Sequence, residues 1–246
     1  MPAQSIRSQQ KRTKTMKFLP SKSLLFLALF GFLLSFASCT KENASDVNQD
    51  RIYTEYELFY DKNTDKTTAL ARFKFGGATG TLLELDSTAN VKFNGEKLPY
   101  NALLAVHMKE YAGLVSSGKF VYTNINNDIF ENSVPAFEAI EFPTINAIQR
   151  TQAYELKWTG TALSADQSVG LAINGNKEGD LQLFVQGAEG STSIILAKTQ
   201  LGKLGLGDAT GVMDRSTTQK VKQGTSVGGY ITGKYRAQNA KLNITD

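Results

Sequence analysis

From Arg51 onward, apolar and polar residues alternate with a period of two. In the stretch RIYTEYELFYD (51–61), Ile52, Tyr56, Leu58 and Tyr60 fall on one face, and Glu55 and Glu57 fall on the other. In TALARFKFGG (68–77), Ala69, Ala71, Phe73 and Phe75 alternate with Leu70, Arg72 and Lys74. Strict alternation predicts half-buried strands, and the polar residues 62–66 between the two runs predict a hairpin connection. Val91-Lys92-Phe93, the pair Asn94-Gly95 and Lys97-Leu98 predict a second hairpin, because Asn and Gly accept the positive φ angles of a tight turn. Phe120-Val121-Tyr122 and 139–142 add strands, and 103–114 is the one stretch that suits a short helix.

Beyond Pro143, the polar segment 145–150 reads as a junction, after which the strand pattern resumes. Tyr154, Leu156 and Trp158 form one apolar row; Val169, Leu171 and Ile173 a second; Leu181, Leu183 and Val185 a third. The runs 191–197, 212–215, 218–222, 230–236 and 241–244 complete the set. Short strands separated by Gly-rich turns every eight to twelve residues predict an all-β chain of sandwiches. The expected arrangement is two tandem immunoglobulin-like β-sandwich modules, 51–145 and 150–246, with one larger sandwich as the alternative. Phe184 lies out of phase with Leu181, Leu183 and Val185, which predicts an outward aromatic free to stack on a sugar or dock a partner.

The first fifty residues follow another rule. Arg7, Lys11, Arg12, Lys14, Lys17 and Lys22 make a basic zone without acids, 24–34 is an unbroken apolar run with one glycine, and Ser35-Phe36-Ala37-Ser38 leads to Cys39, the only cysteine. That is the layout of a helical signal peptide over 1–38. The run is shorter than the ~20 residues a membrane span needs. Met16 offers a second start ahead of Lys17. The small residues before the cysteine resemble the lipobox of bacterial lipoproteins, with Phe36 where an aliphatic residue is usual. That resemblance implies a diacylglycerol thioether on Cys39, cleavage before it and an acylated new amine. With its composition and layout, the chain resembles outer-membrane lipoproteins of the Bacteroidota, facing either outward or inward. Residues 39–50, TKENASDVNQD after the cysteine, are expected to be a lipidated flexible tether. One acyl chain holds a protein to a bilayer marginally, and two or three hold it firmly.

Charge follows from the same division. The chain has 27 Lys+Arg against 23 Asp+Glu, but the segment 1–38 carries six of those bases and no acid. The remainder is slightly acidic, which removes the basic face a nucleic-acid partner would need. With the thiol acylated, no intrachain disulfide can form, and the cores must hold by packing.

The inventory for chemistry is thin, and no catalytic residue, metal site or cofactor is expected. His107 is the only histidine, set among apolar neighbours, so a partly buried structural role is expected rather than that of a general base. Asp61-Lys62-Asn63-Thr64-Asp65 begins like a calcium loop but has Lys66 where an EF-hand needs Gly and Arg72 where it needs Glu, so a hairpin tip is expected. Residues 202–211 are glycine-rich without nucleotide-loop spacing. Glu55 and Glu57 read as solvent-facing charge rather than a glycosidase pair. Asp86-Ser87-Thr88 resembles the O-glycosylation acceptor of Bacteroidota secreted proteins, which implies a glycan on Ser87. The expected function is a non-enzymatic binding or adhesion module anchored in the membrane, its partner a glycan or an envelope protein. The alternatives are a structural accessory subunit of an envelope complex and, ranked lower, a carbohydrate-active enzyme.

Overall fold

The computed structural model describes residues 42–246 apart from Ser87; the signal segment, Cys39 and Ser87 lie outside the described residues. The first half holds β1 (Glu42–Asn43), β2 (Ile52–Asp61), β3 (Lys66–Phe75), β4 (Thr81–Glu84), β5 (Asn90–Phe93), β6 (Glu96–Lys97), β7 (Tyr100–Asn101), β8 (Val106–Ala112), β9 (Lys119–Thr123) and β10 (Ile129–Ser133). The second half holds β11 (Ile148–Gln149), β12 (Tyr154–Lys157), β13 (Gln167–Asn174), β14 (Gln182–Gln186), β15 (Ser193–Leu196), the one-turn helix α1 (Lys198–Leu201), β16 (Gly207–Lys220), β17 (Gly229–Arg236) and β18 (Ala240–Thr245).

The chain is all-β, as the alternation implies. Its main sheet runs β1-β4-β3-β2-β17-β16-β13-β14, with β8 and β7 continuing from β3, and β18 and β11 from β16. A four-stranded sheet, β10-β9-β5-β6, and the pair β12-β15 complete the set. Two cores result. One gathers Tyr56, Phe73, Phe93, Phe120 and Tyr122, with Tyr56 stacked on Phe120 at 4.9 Å between centroids. The other gathers Leu156, Trp158, Leu171, Phe184 and Met213.

The two halves are fused by one sheet rather than set side by side. β17 pairs in parallel with β2 from Gly229–Thr54 to Arg236–Asp61. Ile231 of β17 lies in the first core, and Tyr60 of β2 lies in the second. β16 allows this because it is continuous across 14 residues, where alternation suggested two shorter strands. One of its edges is taken by β18 over Gly207–Gly211 and then by β17 over Asp214–Lys220. The turn after β16 is tied to the first half by buried Asn132, which accepts from the main-chain N–H of Lys222 and Gln223 at 2.8 and 3.0 Å and donates to Gln223 O at 2.8 Å.

Three expectations are corrected. Residues 103–114 do not form a helix. Their second part is β8, which pairs with β3 from Ala112–Lys66 to His107–Ala71, because a ladder on an open strand edge outweighs a weak helix propensity. Within the expected tether, residues 42–50 are folded onto the body. β1 pairs in parallel with β4, Ala44 is fully buried, and Gln49 donates through Nε2 to Ala44 O at 2.6 Å and Val47 O at 3.0 Å. Backbone pairing needs no apolar side chains, so a polar segment can dock this way. Third, Phe184 does not point outward. Its cross-strand partner is Leu171, a core residue, and directly paired residues share a sheet face. Phe184 is therefore 4% exposed, while Leu183 and Val185 are 61% and 76% exposed.

The Asn94-Gly95 hairpin forms as its sequence demands, with φ of 49° and 86° and Phe93 paired to Glu96. In the glycine-rich stretch, Gly205 permits a close approach. Its N–H donates to Asp180 Oδ2 at 2.9 Å, and a Cβ there would lie 2.7 Å from that oxygen.

Candidate functional site

The main sheet forks along one edge of β3. Lys66–Ala71 pair with β8, and Phe73–Phe75 pair with β4. The two partners meet that edge end to end, and Arg72 between them pairs with neither. The segment joining β4 to β8 carries β5 and β6, which belong to the four-stranded sheet, and β7, which pairs with β8. The result is a groove of about 1300 Å³ between the 85–90 segment, the 97–101 segment and residues 107–110 of β8. Pockets that hold drug-sized ligands span ~300–1000 Å³.

His107 stands at the fork and is 5% exposed. Its Nδ1 lies 3.2 Å from Leu98 O. A carbonyl only accepts, so the proton sits on Nδ1 and Nε2 presents a lone pair. Nε2 is buried and finds no hydrogen-bond partner among the described residues, and the same holds for Asn90 Oδ1 on β5. Burial pushes the His107 pKa down, so the ring is neutral at pH 7. It packs edge-on against Phe73 at 5.8 Å and tilted against Tyr100 at 5.0 Å. Leu85, Ala89, Leu98 and Pro99 give the groove an apolar floor.

Of the charged residues that line the groove, Asp86, Lys109 and Glu110 are engaged, while Lys97 has no ion-pair partner among the described residues. Lys109 meets Glu96 at 3.1 Å, and Glu110 meets Lys66 at 2.8 Å. Asp86 Oδ1 accepts from Thr88 Oγ1 at 2.6 Å, Thr88 N at 2.9 Å and Ala89 N at 3.2 Å. The Thr88 hydroxyl, ahead of the other donors, lowers the Asp86 pKa to about 2. A carboxylate held in this way is a poor proton acceptor. Its work is to shape the 86–89 turn.

The sequence-predicted residues are scattered. Asp61 and Asp65 shape the β2–β3 hairpin tip: Asp61 Oδ1 accepts from Asn63 N at 2.9 Å, and Tyr60 donates to Asp65 Oδ1 at 2.9 Å. Glu55 lies on the sheet's outer face, 2.7 Å from Lys74 Nζ and 3.4 Å from Arg72 Nη1. Glu57 lies 3.7 Å from Lys234 Nζ. Asp86 lines the groove, and Ser87 beside it is outside the described residues. Asn90 carried no signal in the sequence, because its importance comes from where β5 begins relative to the fork.

A second polar cluster escaped the sequence reading. Arg215 is fully buried. It donates through Nη1 to Thr161 O at 3.0 Å and through Nη2 to Ala162 O at 3.1 Å and Gln167 Oε1 at 2.6 Å. Its phase with Met213 would have flagged it, since alternation puts both on the inner face.

No protein-family model matches the chain, and no curated protein matches it in sequence. Among solved structures, it aligns with one described as giving structural insight into host cell surface retention of a 1.5-MDa bacterial ice-binding adhesin, at 14% identity and a TM-score of 0.22. That alignment covers 80% of this chain and 66% of the other, just under two thirds of that protein's length.

Proposed function

We infer that the protein is a lipid-anchored, non-enzymatic binding module of the bacterial cell envelope, and that the groove at the sheet fork is its ligand site. The observation that supports this is the pairing inside the groove. Its carboxylates are committed to partners and its histidine is held neutral by burial, while Lys97 lines it with no ion-pair partner among the described residues. Catalysis wants a group poised to gain or lose a proton near the working pH, whereas recognition wants fixed polar groups on a shaped apolar floor. The lipobox-like run ending at Cys39 supports the anchor, on the outer membrane.

Protease shaving of intact cells, followed by immunoblotting for residues 150–246, tests the placement. Loss of the signal with a periplasmic control intact supports a surface-exposed adhesion or glycan-binding role. Protection until the outer membrane is permeabilised turns the search to periplasmic partners, and full-length protein free in the medium refutes the anchor. The exposed row of Leu183 and Val185 on β14 favours a second reading, an accessory subunit that docks on an envelope protein through that face. Cross-linking from position 185 on intact cells would capture that protein.

A further inference from the structure

We propose that the edge of β8 beyond β7 takes an extended peptide strand carrying an acidic side chain, which adds to the main sheet along the groove. The proposal rests on the binding-module reading and adds the ligand class. Its starting point is the way β7 stops. Met108 N–H donates to Pro99 O at 2.9 Å, but Pro99 has no N–H to return, so the ladder ends there. The chain ahead of Pro99 belongs to the other sheet: Leu98 N–H donates to Val91 O at 2.9 Å, and Lys97 pairs with Lys92. β8 itself runs on to Ala112, held by β3 along its other edge. In an antiparallel ladder, alternate residues turn their main-chain groups to opposite edges. Met108 turns its groups to β7, so Glu110 and Ala112 turn theirs the same way, and both residues are exposed. No strand or turn bonds Glu110 N–H, Glu110 O or Ala112 N–H among the described residues.

An open edge is a template for another strand, and extended peptides bind such edges by strand addition. Its donors and acceptors recur every second residue, ~6.6–6.8 Å apart, a spacing that another extended backbone matches. Charge then selects the side chain. Glu110 is paired with Lys66 at 2.8 Å and Lys109 with Glu96 at 3.1 Å, and Asp86 accepts from Thr88 and Ala89 within its own turn. Lys97 lines the same groove with no ion-pair partner among the described residues, and it stands directly opposite Lys92 in the β5–β6 ladder. Like charges directly opposite each other destabilise a ladder, and an acidic side chain on the added strand would offset that repulsion.

The test uses the full chain in detergent micelles and a display library of random nine-residue peptides. An enriched peptide is then synthesised together with two versions in which one or the other set of alternate main-chain amides is N-methylated. The expected result is enrichment of peptides with an acidic residue, and slowed amide hydrogen exchange at Glu110 and Ala112 when they bind. Methylating one alternate set should weaken binding about tenfold or more, and methylating the other should not. Lys97→Glu should weaken binding about tenfold or more, while Val185→Thr on β14 leaves it unchanged. Equal effects of the two methylated sets, or exchange slowed only elsewhere, take the peptide off the edge and overturn the proposal, but leave a binding module with its site elsewhere. Enrichment of peptides without an acidic residue, or binding that Lys97→Glu does not weaken, overturns the charge match and the proposal with it. Slow exchange at Glu110 and Ala112 in the unliganded protein, together with a dimer in sedimentation, gives the edge to a second copy and also overturns it. No enrichment overturns it as well, and the binding-module reading then stands or falls on the shaving result.

Discussion

Replacing Arg215 with Met removes a fully buried guanidinium while keeping much of its aliphatic volume. Three hydrogen bonds go with it, to Thr161 O, Ala162 O and Gln167 Oε1. Thr161 O keeps Trp158 Nε1 at 3.2 Å and Gln167 Oε1 keeps Ser164 N at 3.0 Å, so Ala162 O is the acceptor that loses its partner. A hydrogen bond from a charged donor contributes ~1.5–3 kcal/mol, which puts the gross loss of three at ~4.5–9 kcal/mol. Two terms offset it. The desolvation cost of the charge, of order several kcal/mol, disappears, and so does the orphaned Nε, which has no partner among the described residues. The ion-pair partner Glu138 is half-exposed, 3.2 Å from Nη2, and water can solvate it once the arginine is gone. The net expectation is a loss of about 3 kcal/mol, or a fall in Tm of ~6–12 °C at ~2–4 °C per kcal/mol for a domain of this size. Urea and thermal unfolding of Arg215→Met measure it, with Glu138→Gln as the comparison at under ~1 kcal/mol, because exposed pairs contribute little. A variant within ~0.5 kcal/mol of the wild type, or more stable than it, would refute the claim that this guanidinium holds the 161–162 segment to the sheet.

Three other expectations follow from the packing. Because β2 and β17 share a ladder and each core holds a residue from the opposite half, calorimetry should show both halves melting in one transition; two separated transitions would mean independent modules. Phe184→Ala should cost ~3–5 kcal/mol, as a large core truncation does, while Leu183→Ala on the exposed face should stay within ~0.5 kcal/mol; equal effects in denaturant titrations would reverse the assigned strand phase. The folded-state pKa of His107 is below its ordinary value of 6.5 because burial disfavours its charged form. Its neutral form therefore adds stability above pH 6.5 that is lost as pH falls through 6.5 and below. His107→Phe should flatten the stability profile between pH 6.5 and 5, and a wild-type profile already flat there would contradict the burial argument.

What the sequence shows plainly is what local rules control. Ile52, Tyr56, Leu58 and Tyr60 alternate and are buried, and Asn94-Gly95 turns where its tolerance of positive φ allows. What it conceals is non-local. Leu181, Leu183 and Val185 alternate as cleanly as any core strand, yet they face out, because the inward face of β14 is set by its pairing to Leu171. Residues 42–50 offer few apolar side chains and dock through backbone pairing and the amide of Gln49. The groove is the extreme case. It exists because β4 and β8 divide one edge of β3, and no window of residues along the chain carries that fact. His107 could be marked as buried from its neighbours, but its unpaired Nε2 is visible only once Leu98 O has claimed Nδ1.

The proposed anchor is tested first, since it would set the address at which the groove works. Intact-mass analysis of the mature protein from the membrane fraction tests it. The expected mature chain begins at Cys39, with a diacylglycerol on its sulfur and a further acyl chain on its amine. A mature chain with Cys39 internal and carrying a free thiol, or one that begins after Cys39, would contradict it.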